Sequence, residues 1–540
     1  PSVALPGDRG GGSSHLAAGS SRNTMSSQVE IAVIGGGIAG LAAAWQLERL
    51  SPAARVTLVE ASRRLGGWIR TERWDEVLIE HGPDSWVASK LSATELVCAL
   101  GLTHDLIGLR SDRAGAGIVR HGQIVPLPDG LSLLVPTRLG SLLGSPLLSP
   151  WGKLRVLGEF FVPPRRDEAD ESLAAFVRRR FGREFYEQVA EPLLAGIYGG
   201  DAEQLSLLAT YPQFRELEQR AGSLLRAIMR GATRHATPPP RQLSSMAGDL
   251  EKCSSKQMTV QQPQVKDPQT VQESVSREQG VRALPRSPFL TLRGGMEQLV
   301  LATVASLRYT NLRLGVAATN IRARETGFTV ELVDGTELEV DGLVLAVPAW
   351  KAAELLRELD PESTELLRSI PYASSAAVTL VYQREVLEPV ARNRGFLVPA
   401  REGRPISAVT WVTNKFEGRA PEHLAVARVF FRGNRGWSAG DTVPEALVAV
   451  ALRELRALTG LRAEPLHAVV SAHECALPQY LVGHRARVMA LRRRLAHWPA
   501  LALAGAAYDG VGVPDCIASG QRAARAVAVA LGVCHTQCSS

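Results

Sequence analysis

The chain has 540 residues, 45% hydrophobic and 21% charged, with 61 Lys and Arg against 54 Asp and Glu. That length calls for two or three domains, and the composition is that of a folded protein. The basic balance would suit nucleic acid, an anionic membrane or an acidic small molecule, but no Lys/Arg run interleaved with aromatics marks a nucleic-acid binder. No apolar window reaches the roughly 18 residues of a membrane span, and six scattered cysteines show no disulfide framework, which fits a reducing, cytoplasmic setting.

Residues 1–28 are rich in Gly, Ser and Ala and contain Met25; they read as a disordered leader, either a transit segment or an unprocessed extension. Ile31 to Ile34 is a short apolar run expected as a strand buried on both faces. Gly35, Gly37 and Gly40 follow with the G-x-G-x-x-G spacing, and Leu41 to Leu50 reads as a helix. A second strand, Arg55 to Val59, ends at Glu60, where a carboxylate can hold ribose hydroxyls. Strand, glycines, helix, strand and acid in this order predict a bound dinucleotide.

Gly66-Gly67 offers a second close backbone approach, and Gly82-Pro83 reads either as a surface turn or as part of the same site. Residues 91–107 have helical periodicity, and Ile118 to Pro126 predicts a hairpin turning at His121-Gly122. Leu131 to Val162 is apolar, broken by prolines, and flanked by Arg138, Lys153 and Arg155. It reads as short core helices or as a surface that dips into a membrane interface. Residues 171–195 predict one helix with its arginines outward.

Residues 237–280 are polar and predict a disordered insertion. Phe289 to Val300 reads as strand, glycine turn and helix. Residues 320–340 read as a meander with a hairpin at Asp334-Gly335. Leu343 to Pro348 is expected to return to the parallel sheet, and strands at 378–382, 406–412 and 425–431 predict a second, mixed sheet. Leu501 to Gly505, a glycine loop and a helix from Asp515 to Ala530 echo the opening motif. Cys534-His535…Cys538 has faint metal-ligand spacing without a second ligand pair, so no metal is expected.

Several segments together resemble the FAD-dependent amine-oxidase superfamily and, within it, the protoporphyrinogen/coproporphyrinogen III oxidase family. They are Arg64-Leu-Gly-Gly-Trp-Ile-Arg70, His81-Gly-Pro-Asp-Ser85, Gly196 to Asp201, Leu292 to Met296, Leu477 to Tyr480, Gly483-His484 and Ala504 to Ile517. The resemblance runs from about Val29 to Leu531.

It implies an α/β fold: a Rossmann-like FAD-binding domain (29–112, 281–320 and 483–533), a helical, membrane-associating subdomain (113–236), a mixed-sheet substrate domain (321–482) and a tail (534–540). It also implies FAD as cofactor, held by Gly35, Gly36, Gly37, Ile38, Ala39, Gly40, Glu60, Ala61 and Arg64. Gly67, Trp68, Gly82, Pro83, Asp84 and Ser85 are expected along the flavin ring, with Val316 at the adenine and Val511, Gly512 and Val513 at the ring's carbonyl end.

Trp411 is expected to stack on substrate, or else to be core, and Lys415, Arg113 and Arg120 to meet its propionates. The reaction implied is six-electron oxidation of protoporphyrinogen IX or coproporphyrinogen III by dioxygen, with release of hydrogen peroxide, in haem biosynthesis. The Leu-rich 131–162 stretch beside basic residues, with a poorly soluble substrate, leads to the expectation of a peripheral place on the inner face of the membrane, and a second copy of the chain is a further expected partner. An amine oxidase or carotenoid desaturase, and a non-catalytic FAD-binding scaffold, are the alternatives. No residue suggests itself as a general base.

Overall fold

The computed structural model describes residues 28–128, 130–132, 135, 136, 138–230, 284–433 and 443–534. The expectations for the leader, the 237–280 insertion and the His535 to Cys538 end lie outside those residues.

Five strands form an all-parallel sheet in the order Asn311–Leu314, Arg55–Glu60, Glu30–Ile34, Gly342–Leu345, Leu501–Leu503. Ile31, Ala32, Val33 and Ile34 are all buried, because parallel strands are covered on both faces. One face packs on helix Ile38–Leu50 and the C-terminal helix Val513–Ala530. Those two helices cross where a Cβ on Gly520 would lie 2.0 Å from the Ala39 carbonyl oxygen. A glycine is thus required there for the last helix to reach the first. The other face packs on the antiparallel meander Ala318–Ala323, Phe328–Leu332, Glu337–Val340 and on helices Ala349–Leu355 and Pro361–Arg368.

A seven-stranded sheet runs in the order His467–Pro478, Tyr372–Gln383, Leu424–Phe431, Ile406–Trp411, Gly395–Leu397, Gly117–Arg120, Gln123–Pro126. All its pairings are antiparallel except Gly395–Leu397 with Gly117–Arg120. The predicted 118–126 hairpin therefore extends this mixed sheet, although it falls in the range expected to be helical.

Other expectations are corrected. The 91–107 helix stops at Ala99; Gly101 turns at φ 75°, and Leu106–Gly108 becomes a strand paired with Phe289–Leu292. The 171–195 helix is divided into Leu173–Phe181 and Glu191–Tyr198 by Gly182 (φ 93°) and a π-helical turn at Tyr186–Ala190. Its Arg180 is not an outward residue. It is fully buried and ion-paired with Glu159 and, at 3.4 Å, with Glu218, as a buried guanidinium requires.

Within 131–162, Leu142, Leu147 and Leu148 are core, whereas Trp151 is 80% and Phe161 88% exposed. Among the described residues no helix is long and apolar enough to cross a membrane.

Candidate functional site: a dinucleotide cradle extended by a His81–Ser85 strap

Gly35 turns the first strand with φ 106° and donates its N–H to the Val59 carbonyl. A Cβ on Gly40 would lie 1.8 Å from the Gly35 oxygen, so the helix can seat only on glycine. Gly37 differs. It is the residue before the helix, no side chain caps it, and the nearest atom to an added Cβ is Gly67 Cα at 4.0 Å. The protein leaves that place open in front of free helix N–H groups, a setting that suits an anion.

Glu60 ends the second strand with one oxygen on the Gly36 N–H (2.7 Å) and the other on the Ser62 N–H (2.8 Å). Ala61 follows it, and the Val316 N–H donates to the Glu60 carbonyl at 3.1 Å. The ribose and adenine positions expected from sequence are therefore adjacent.

Gly66 bonds back to the Gly36 carbonyl at 2.8 Å. Arg64 organises this turn by donating to the carbonyls of Leu65, Gly67 and Ile69. Trp68 follows, 45% exposed, with its ring 4.9 Å from that of His473.

The His81–Ser85 strap lies against Trp68: a Cβ on Gly82 would come within 1.9 Å of the Trp68 oxygen. Pro83 is the next residue of the strap. Arg428 clamps it from the mixed sheet through the carbonyls of Gly82 (3.0 Å) and His81 (3.2 Å). Asp84 accepts from Lys415 and Ser85. Burial alone would push the Asp84 carboxyl up, but the Lys415 and Arg428 charges outweigh it and hold the acid well below the usual carboxylate range.

At the other end of the chain, Val511, Gly512 and Val513 open the C-terminal helix. The Gly512 N–H is bound by Asp515, which Lys90 grips at 2.6 Å. Tyr480 holds the preceding turn, its hydroxyl donating to the Ala506 carbonyl (2.5 Å) and accepting from the Gly510 N–H (2.7 Å).

The four expected substrate contacts do not converge. Trp411 is 1% exposed and edge-on to Phe396. It pairs with Ala427 and shares the core face of the sheet with Val409 and Val429. Alternation along the strand turns its neighbour Thr410 to the opposite face, beside Arg428. Lys415 is committed to Asp84. Arg113 pairs with Glu388 at 3.4 Å and Arg120 with Glu184 at 3.7 Å; Arg120 ends strand Gly117–Arg120, and Arg113 lies four residues before that strand begins. Tyr508 is buried in the core of the parallel-sheet domain.

Arg428, His473 and Lys90 escaped the sequence reading. Arg428 carries a readable signal, a lone arginine in the apolar run Leu424 to Phe431. His473 and Lys90 have none, because their partners are remote in sequence.

The sequence profile of the flavin-containing amine oxidoreductases matches residues 38–528. The fold and the cradle are those of a flavin-dependent oxidoreductase, and the chain belongs to that family, with FAD as its cofactor.

A coproporphyrinogen III oxidase of Bacillus subtilis is 32% identical over 91% of this chain and 96% of its own. The human protoporphyrinogen oxidase is 31% identical over 92% of this chain and 98% of its own. A crystal structure of a protoporphyrinogen oxidase candidate from Exiguobacterium sp. 255-15 is 32% identical, with a TM-score of 0.76 over 94% of this chain and 100% of that one. Within the superfamily the chain is a member of the protoporphyrinogen/coproporphyrinogen III oxidase family.

Proposed function

We propose that this flavoenzyme oxidises a porphyrinogen to the porphyrin in haem biosynthesis, removing six electrons and six hydrogens in three rounds with dioxygen as terminal acceptor. Three molecules of hydrogen peroxide balance the three of dioxygen. The observation that carries this reading is that relatives bearing both porphyrinogen oxidase names align over nine-tenths or more of their length with this chain, which itself forms the cradle and strap.

FAD, when bound, supplies the hydride acceptor. Gly35 to Gly40 and Glu60 would hold its pyrophosphate and ribose. Arg64, Gly67, Trp68 and the His81–Ser85 strap would support the ring, and Val511 and Val513 would present N–H groups to its carbonyl end, the Gly512 N–H being held by Asp515. Macrocycle aromaticity supplies the driving force, so the protein's work is to position the ring and remove protons.

A peripheral membrane contact belongs to the same proposal. Trp151 and Phe161 stand exposed in a segment of sequence that also carries Lys153 and Arg155, a combination that suits an anionic interface and a poorly soluble product.

The test is porphyrin fluorescence after adding protoporphyrinogen IX and coproporphyrinogen III, separately and in air, to the purified flavoprotein. A rise above the autoxidation blank with either supports the reading, and the larger kcat/KM names the substrate. A flat trace with both, alongside flavin that an amine reduces, overturns it.

A further inference from the structure

The structure brings Ser471, His81 and Glu72 into one hydrogen-bonded line. Ser471 Oγ lies 3.0 Å from His81 Nδ1, and His81 Nε2 lies 2.8 Å from Glu72 Oε2. His81 follows strand Val77–Glu80 and bonds through its N–H to the Arg70 carbonyl. That hairpin pairing puts Glu72 diagonally across from it on the same face. Ser471 comes from strand His467–Pro478, on the face that also carries His473.

Nδ1 and Nε2 are therefore both engaged, with a carboxylate on one side and a hydroxyl on the other. The carboxylate draws the imidazole proton to Nε2 and leaves Nδ1 to accept from the Ser471 hydroxyl. Ser471 is 4% exposed, whereas Glu72 is half-buried and reaches solvent beside Arg70. The line thus runs from the interior, next to the strap, out to water. Ser471 is too enclosed to meet an acyl group, so nucleophilic use of the trio is excluded by access.

We infer that Ser471, His81 and Glu72 form a relay that carries protons released by substrate oxidation from the strap side of the site to solvent. This rests on the proposed porphyrinogen oxidation. Each two-electron step takes one hydride and one proton from the substrate, and the three steps together remove four meso C–H and two N–H hydrogens. A proton arriving at Ser471 Oγ sends the hydroxyl proton to His81 Nδ1; the Nε2 proton passes to Glu72, which returns it to water. One proton enters, one leaves, and no electrons move along the line.

The groups facing His81 fit this use. Glu72 faces its Nε2, the Arg428 guanidinium meets its carbonyl, and Arg70 lies beside Glu72. Asp84, within the strap, is already spent on Lys415. His473, whose ring donates to the His81 carbonyl, is held neutral because burial pushes it down. These are positioning and proton-carrying residues and hold no substrate themselves.

The test uses full-length holoenzyme carrying Ser471→Ala, His81→Gln or Glu72→Gln, beside wild type. Histidine-labelled nitrogen NMR should show His81 as the Nε2–H tautomer, with that signal moved in Glu72→Gln. Per bound flavin, kcat for porphyrin formation should fall about 10²-fold in Ser471→Ala and His81→Gln, with KM unchanged. The solvent isotope effect should rise, and added imidazole should restore part of the rate in His81→Gln.

Wild-type kcat, pH profile and isotope effect per flavin in Ser471→Ala would overturn the relay. Loss of flavin or melting temperature with per-flavin kinetics intact would overturn it equally, as a packing role. A wild type inactive on both porphyrinogens sinks the proposed function instead, and is recognised by the wild-type trace alone.

Discussion

Lys415 Nζ lies 2.8 Å from the Asp84 carboxylate, joining the mixed sheet to the His81–Ser85 strap across 331 positions of sequence. Both groups are largely buried, so removing one leaves an unpaired charge inside the protein. Lys415→Met should cost about 3 kcal/mol of stability at pH 7 and loosen the strap, read as a lower urea midpoint and a lower flavin content.

The pH dependence of that pair has a definite sign. Asp84 is depressed in the folded chain, so its contribution is complete above the unfolded carboxylate value near 4 and fades as pH falls below it. The Lys415→Met and wild-type stability curves should therefore draw together below about pH 4. Parallel curves there would contradict the pairing.

The glycines of the cradle separate into two kinds, and Ala substitutions distinguish them. Gly40→Ala drives a methyl into the Gly35 carbonyl and should lower the melting temperature sharply or abolish soluble protein. Gly37→Ala meets only Gly67 Cα at 4.0 Å. The apo-protein should melt within a few degrees of wild type, yet leave gel filtration without FAD. Retained flavin in Gly37→Ala would show that the pyrophosphate lies elsewhere.

Glu60→Ala should likewise lose FAD. It also leaves the Gly36 and Ser62 N–H groups without their acceptor, so a stability loss of about 1–2 kcal/mol should accompany it. Glu60→Gln keeps an acceptor oxygen for one N–H and should fall between the two.

His484 is buried with its ring stacked 4.0 Å from that of Tyr480, and burial pushes it down to about 4. The unfolded chain binds its proton near pH 6.5 and the folded chain only near 4, so stability drops as pH falls through that window, by about 3 kcal/mol in full. His484→Phe keeps the stack and should flatten the urea-midpoint profile between pH 7 and 4. An unchanged slope would show that another group governs it.

Trp151 and Phe161 carry the membrane proposal. Cosedimentation with vesicles containing anionic lipid should fall to background in Trp151→Glu/Phe161→Glu, with the melting temperature near wild type because both side chains are exposed.

The dinucleotide cradle was legible in the sequence because it is local. Turn, helix start and acid lie within about thirty residues, and the spacing of Gly35, Gly37, Gly40 and Glu60 directly encodes their backbone demands. The meander and its Asp334-Gly335 turn, and the buried strand at Gly342–Leu345, were readable for the same reason.

Trp411 shows where that kind of reading ends. Its residue type suited substrate stacking, but a strand sends alternate side chains to opposite faces, and only the pairing with Ala427 decides that Trp411 faces core while Thr410 faces Arg428. Composition likewise placed Arg180 on a surface, and only the arrival of Glu159 and Glu218 from other segments buries it.

By itself, then, the sequence determined the cofactor cradle, the order of elements and the resemblance to a family, since each rests on short-range spacing. The tertiary structure alone decided which charges are already paired and which polar groups meet. Ser471 and His81 stand 390 positions apart, and nothing in either neighbourhood encodes the other; packing the strap onto the mixed sheet places them within a hydrogen bond.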